Sequence, residues 1–198
     1  IGLSEGDCAI VPCITFVATA NAVRYCGANV IFADVNPETG LMGPEQFREA
    51  ITRARKTGAR LKAVFTVHLA GQCSNPEKIH GIADEHGIRV IEDAAHAIGT
   101  KYRDSSGASH EIGSCKHSDI TLFSFHPAKT IAMGEGGAIT TSDEALHAKI
   151  LKLREHGIEK NPDNFTNREL GFDENGIPNP WYYELTELGY NYRASDLQ

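Results

Sequence analysis

The sequence predicts an α/β fold in three layers, with a mainly parallel sheet sandwiched between helices. Three observations predict it. Short apolar runs alternate with amphipathic stretches through the first two thirds of the chain. Several runs, Ala63-Val64-Phe65-Thr66-Val67 above all, are continuously apolar or β-branched, as in strands covered on both faces. The strands are separated by helical patterns, which is the signature of βαβ units.

The elements follow in order. Cys8-Ala9-Ile10-Val11 reads as a strand stopped by Pro12. Thr15 to Tyr25 reads as a helix, capped by Thr15 or a neighbour, with small residues at Ala18, Ala20 and Ala22. Val30-Ile31-Phe32-Ala33 is the next strand. Pro44 through Arg55 places Phe47, Ala50, Ile51 and Ala54 on one helical face, and Gly58 closes it. After the strand at Ala63–Val67 comes a helix from Pro76 to His86, ended at Gly87. Arg89-Val90-Ile91-Glu92, Ile120 to Ser124 and Ala138 to Thr141 are further strands. Ser142-Asp143-Glu144 opens a helix running to about Glu155, with Ser142 as the cap. From Gly157 to about Glu184 the periodicity fades. Pro162, Pro178, Pro180, Gly171 and Gly176 mark a long loop or insertion.

Composition bounds the function. The chain has 198 residues, 41% of them hydrophobic and 23% charged, which is globular rather than disordered. Nineteen Lys and Arg stand against 26 Asp and Glu, a formal charge of −7 that argues against a nucleic-acid partner. No apolar run is long enough to span a bilayer, so no membrane partner is expected. The five cysteines are irregularly spaced and odd in number, which fits a reducing cytoplasm rather than a disulfide framework. Cys115-Lys116-His117 lacks the further ligands that a metal would need, so no metal is expected. The opening Ile1-Gly2-Leu3 has neither an initiator Met nor a signal-peptide pattern, and suggests numbering that begins inside a longer protein.

Dinucleotide, P-loop, serine-hydrolase and zinc-protease motifs are absent. Ligands of parallel α/β sheets gather beyond the carboxyl ends of the strands. Two segments lie there. Val90-Ile91-Glu92-Asp93-Ala94-Ala95-His96-Ala97 puts a carboxylate at the end of a buried strand. Phe123-Ser124-Phe125-His126-Pro127-Ala128-Lys129-Thr130, followed by Gly134-Glu135-Gly136-Gly137, puts a lysine in a short constrained loop. Asp93 and Lys129 have two readings. They are an ordinary ion pair, or they are the fixed points of a pyridoxal-phosphate site. In such a site the lysine forms a Schiff base with the aldehyde and the carboxylate keeps the ring nitrogen protonated.

At these residues the chain resembles the DegT/DnrJ/EryC1/StrS family of pyridoxal-phosphate sugar aminotransferases, of aspartate-aminotransferase fold type I. The resemblance extends to Val11-Pro12-Cys13-Ile14-Thr15-Phe16-Val17-Ala18-Thr19-Ala20-Asn21-Ala22, to Ala28 through Asp34, to His68-Leu69-Ala70-Gly71-Gln72, and to Leu188-Gly189-Tyr190-Asn191-Tyr192-Arg193. It implies pyridoxal 5'-phosphate as cofactor. It further implies that Lys129 forms the imine and shuttles a proton, and that Asp93 pairs with the pyridine nitrogen. Phe16 would stack on the ring and His96 would sit near the ring hydroxyl. Ser124 would bind the phosphate, and Asn191 would reach the phosphate of the neighbouring subunit. The bland readings are a core aromatic for Phe16, a satisfied strand-end histidine for His96, and a loop-shaping role for His126. The implied partners are a nucleotide-sugar substrate and an amino-acid donor, glutamate, within a homodimer of the full-length protein. The branch it most resembles aminates a UDP-linked 4-keto-6-deoxy-N-acetylhexosamine, giving the 4-amino-4,6-dideoxy-N-acetyl-β-L-altrosamine of the pseudaminic acid route.

The resemblance also implies a chain incomplete at both ends. A phosphate-binding turn is expected before Ile1 and a small C-terminal domain after Gln198. The expected organisation is residues 1–156 as the core of the cofactor-binding domain, 157–184 as a proline-rich insertion or loop, and 185–198 as the lead into the small domain. Two other functions compete. A sugar dehydratase of the same fold would carry His in place of the Schiff-base lysine, whereas this chain has Lys129. A binding module would keep the fold without turnover.

Overall fold

The computed structural model of the chain describes residues 1–196 and 198. The described residues form two compact units, Ile1–Ser142 and Asp143–Gln198.

The first unit is built on strands β1 (Asp7–Pro12), β2 (Asn29–Ala33), β3 (Arg60–Val67) and β4 (Arg89–Asp93), joined by helices α1 (Val17–Tyr25), α2 (Pro44–Lys56) and α3 (Pro76–Glu85). A hairpin of β5 (Lys101–Arg103) and β6 (Ser109–Glu111) precedes β7 (Ile120–Ser124) and β8 (Gly137–Thr140). The main sheet has the order β2-β1-β3-β4-β7-β8. All its pairings are parallel except β7 with β8. Every residue of β1 is buried, because successive side chains feed opposite faces. Ile10 packs with Phe47, Ala50 and Ile51 of α2 and with Ile79 and Ile82 of α3. Ala9 and Val11 pack on the other face with Val23 and Phe65. These two cores make the three layers.

Some local expectations change. Helix α1 starts at Val17, with Phe16 in the cap position and no side-chain cap, because the Thr15 hydroxyl bonds to that of Thr19 instead. The hairpin β5–β6 carries no sequence pattern, since its strands are only three residues long. Its turn is fastened by the Asp104 carboxylate, which accepts from the amides of Ser106 and Ala108 and contacts the His110 ring at 2.7 Å. The Ser106 and His110 hydrogen bonds hold that carboxyl well below the usual carboxylate range despite burial.

In the second unit, helix α4 (Glu144–Arg154) is capped by Asp143 rather than Ser142. Asp143 Oδ1 accepts from the amides of Ala145 and Leu146 at 2.9 and 3.1 Å. Strand β9 (Ile158–Glu159), the short helix α5 (Arg168–Gly171) and strand β10 (Glu184–Leu185) follow. The segment read as a long loop is therefore anchored at both ends by antiparallel pairing of β9 with β10. Inside it, Phe165 packs edge-on against Tyr182 and Phe172. The Glu184 carboxylate accepts from the amides of Asn167 and Thr166, which hold it at about 2. The change of composition at Gly157 leaves α4 with the first part of the chain, whereas by packing it belongs with the second.

Candidate active site

The strand order places β2 to one side of β1 and β3 to the other, so the chains leaving β1 and β3 diverge at the carboxyl edge. Such a switch point opens a crevice. Thr15 and Phe16, which follow β1, Val67 to Leu69 around the end of β3, Asp93, Ala95 and His96 at the end of β4, and Lys129 beyond β7 line one cleft there. The structure thus brings together Phe16, Asp93, His96 and Lys129, four of the six residues singled out from the sequence.

Asp93 ends β4 and is half-buried. Its Oδ2 accepts from Thr19 Oγ1 at 2.8 Å, and its Oδ1 accepts from the Ala95 amide at 3.2 Å. Thr19 gives Asp93 its single hydroxyl proton, so Thr15 is the donor in the 2.8 Å pair between the two threonines. Each carboxylate oxygen keeps acceptor capacity for a further donor. The Asp93–Lys129 ion pair is not formed.

Phe16 is 75% exposed, which rules out the core-aromatic reading. Lys129 is half-buried in a loop that β8 closes by returning antiparallel to β7. The loop is drawn in by the Phe125 amide on the Gly136 carbonyl at 2.8 Å and the Met133 amide on the Phe125 carbonyl at 3.0 Å. His126 shapes it from within. Its carbonyl accepts from the Lys129 amide at 2.8 Å and its Nδ1 from the Ala128 amide at 3.1 Å. The glycine run serves the return. A Cβ on Gly137 would run into the carbonyl oxygen of Phe123.

Ser124 ends β7 at the same sheet edge, outside the residues lining the cleft, and its Oγ accepts from the His126 amide at 3.3 Å. Asn191 lies in the second unit, in a bridge with Glu155.

Three participants lie in segments that carry the resemblance but receive no role from the sequence. Thr19 reads only as a first-turn helix residue. Glu92 and His68 form a buried pair directly beneath the cleft, at 3.2 Å between Oε1 and Nε2. Ser118 and Thr121 hydroxyls also donate to Glu92, at 2.9 and 2.5 Å. Burial pushes the Glu92 carboxyl up, but the hydrogen bonds from His68, Thr121 and Ser118 outweigh it and hold the group below its ordinary value.

Comparison with known proteins identifies the family. The pattern of the DegT/DnrJ/EryC1/StrS aminotransferase family matches residues 1–198. The chain is 39% identical over 197 residues to the spore coat polysaccharide biosynthesis protein SpsC of Bacillus subtilis, covering 100% of this chain and 45% of SpsC. It is 36% identical over 198 residues to GDP-perosamine synthase of Caulobacter vibrioides, again covering 100% of this chain and 45% of the relative. The chain therefore spans about half the length of the curated relatives it matches. A DegT DnrJ EryC1 StrS aminotransferase from Brucella abortus superposes with a TM-score of 0.79 at 31% identity, over 100% of this chain and 46% of that one. Helicobacter pylori PseC, an aminotransferase involved in pseudoaminic acid biosynthesis, superposes with a TM-score of 0.76 at 26% identity, over 98% of this chain and 44% of that one. The chain belongs to the DegT/DnrJ/EryC1/StrS aminotransferase family, whose cofactor is pyridoxal phosphate.

Proposed function

We propose that the protein carrying this chain is an aminotransferase that moves an amino group from an amino acid, glutamate, to a nucleotide-linked 4-keto-6-deoxy sugar. The observation that carries it is the meeting of Asp93, Lys129 and the bare ring of Phe16 in one cleft at the switch point of the sheet.

The residues fit the cofactor. A carboxylate held on both oxygens but with acceptor capacity left suits a protonated pyridine nitrogen. An exposed aromatic face suits a flat heterocycle. Bound there, pyridoxal phosphate supplies an aldehyde for amines and a protonated ring that accepts the electrons freed when a neighbouring carbon loses its proton. Asp93 holds the proton on the ring nitrogen, and Thr19 with the Ala95 amide holds Asp93 in place. Phe16 covers one face of the ring and excludes water. The Lys129 amine would serve as the nucleophile toward the aldehyde and as the base that moves a proton beside it. His96 would meet the ring hydroxyl and Ser124 the phosphate, and Asn191 would serve the phosphate of the neighbouring subunit in a homodimer.

The substrate follows at a finer level. GDP-perosamine synthase among the relatives supports a nucleotide-linked sugar, and the likeness to PseC supports a sugar of the pseudaminic acid route, for which the sequence resemblance implies a UDP-linked N-acetylhexosamine. Such a substrate, with a free amino acid as donor, places the reaction in the cytoplasm. Residues 157–184 form a proline-rich insertion within the second unit, closed by the β9–β10 pairing.

The full-length protein is mixed with pyridoxal phosphate and followed by visible absorption. A band that bleaches with glutamate and returns with a UDP-linked keto sugar is expected, and Lys129→Ala is expected to lack it. No band in the wild type, or the same band in Lys129→Ala, overturns the assignment. Loss of water from the sugar without amine transfer would make the protein a dehydratase. GDP- and TDP-linked sugars in parallel test the nucleotide.

A further inference from the structure

Two histidines stand at the base of the cleft in different settings. His68 is fully buried and His96 is exposed. A short turn of chain, Leu69–Gly71, follows His68 and touches His96 through the Ala70 amide. We propose that the buried His68–Glu92 pair is a positioning device that fixes this turn and thereby holds His96 as its Nε2–H tautomer, with a hydrogen-bond donor turned out for the ligand.

The chain of contacts starts at Glu92, whose carboxylate takes the hydroxyls of Ser118 and Thr121 and faces His68 Nε2. The other ring nitrogen of His68, Nδ1, accepts from the Ser74 amide at 3.4 Å. An accepting Nδ1 carries no proton, so Nε2 carries it and donates to Glu92. The ring is thus tied at one end to β4 and at the other to the far side of the turn. The His68 backbone is tied too. Its amide donates to the Asp93 carbonyl at 3.0 Å, and its carbonyl accepts from the Gly71 amide at 3.0 Å.

Between these ties Ala70 sits in the left-handed region, at φ 55°. A non-glycine residue there is strained and needs surrounding structure to hold it. In that conformation its amide donates to His96 Nδ1 at 3.3 Å. With Nδ1 accepting, a neutral His96 keeps its proton on Nε2. The turn is packed tightly on this side. A Cβ on Gly71 would come within 3.2 Å of the His96 carbonyl oxygen, and the Thr100 hydroxyl donates to the Gly71 carbonyl at 3.2 Å. Movement of the turn therefore moves His96. The tautomer belongs to the protein alone, while its use as a donor to an oxygen of the bound cofactor rests on the function proposed above.

The test is side-chain 1H–15N correlation spectroscopy of the full-length protein without cofactor, with His96 assigned through His96→Gln. An unprotonated Nδ1 and a protonated Nε2 are expected at His96 in the wild type. A protonated Nδ1 overturns the proposal even if the protein binds pyridoxal phosphate and transfers amines. The second measurement uses His68→Gln, which keeps a donor for Glu92 but loses the acceptor for Ser74, and Glu92→Gln. In folded variants His96 is expected to become a mixture of tautomers, and the cofactor to dissociate about tenfold faster. Stability lost with the His96 spectrum and cofactor release unchanged would make the pair merely structural and overturn its positioning role. If both variants fail to fold, the wild-type tautomer decides.

Discussion

Asp93 takes one hydrogen bond from a hydroxyl and one from an amide, and the hydroxyl comes from a helix on the other side of the cleft. A hydrogen bond to a charged group contributes about 1.5–3 kcal/mol, more than a neutral pair. Thr19→Val keeps the shape and removes this donor, so Asp93 is freed to turn. The expected result is a folded protein whose cofactor dissociation constant rises about tenfold. An unchanged constant would mean that the Ala95 amide alone suffices to orient the carboxylate. Asp93 and Lys129 are legible in the sequence because each follows an apolar strand at the edge where ligands gather. Thr19 is not, because a threonine one turn into a helix looks like any other. Glu92 is not, because glutamate is rarely fully buried and nothing local shows that His68, Ser118 and Thr121 converge on it.

Each element of the cofactor edge is set by where its strand ends and what the chain must do next. After β7 the chain must turn back antiparallel, and Lys129 sits on that return. Two glycines of the run serve it differently. Gly134 is in the left-handed region at φ 81° with open space around it, whereas Gly137 lacks room for a Cβ against Phe123. Gly134→Ala is expected to cost about 1 kcal/mol from backbone strain alone. Gly137→Ala is expected to cost about 2–3 kcal/mol, since the β7–β8 pairing must part. Urea unfolding ranks them, and equal losses would defeat the distinction. Gly137→Ala is also expected to weaken cofactor retention, which the Gly134 variant leaves nearly intact. The same element logic separates what could be read in advance from what could not. Helices α2 and α3 were readable because proline opens each and the buried positions recur at helical spacing. The β5–β6 hairpin, β9 and β10 were not, since two or three residues show no period and their pairing depends on distant partners.

For the whole molecule, the three-layer architecture was legible because strands buried on both faces leave continuous apolar runs, a signal that spans many residues. The two edges of the sheet differ in character. The carboxyl edge holds the cleft, while the amino edge holds Asp7, a fully buried carboxylate at the start of β1. Lys62 and Arg60 at the start of β3 approach it at 2.9 and 2.8 Å, and the Ser4 amide donates at 2.9 Å. Lys62 foremost, with Ser4 and Arg60, outweighs burial and lowers Asp7 from 3.8 to about 2. A carboxyl depressed in the folded state favours folding above its unfolded value. That contribution fades as pH falls toward the folded value, because the unfolded chain then binds more protons. The first unit is therefore expected to lose stability as pH drops from about 4 to 2. Glu184, also held at about 2, gives the second unit a similar acid window through a different set of donors. Asp7→Asn is expected to be less stable than the wild type at neutral pH and to converge on it toward pH 2. Urea melts across that range measure the gap. A gap that stays constant down to pH 2 would mean that Asp7 supports β1 and β3 by packing and neutral hydrogen bonds rather than by its charge.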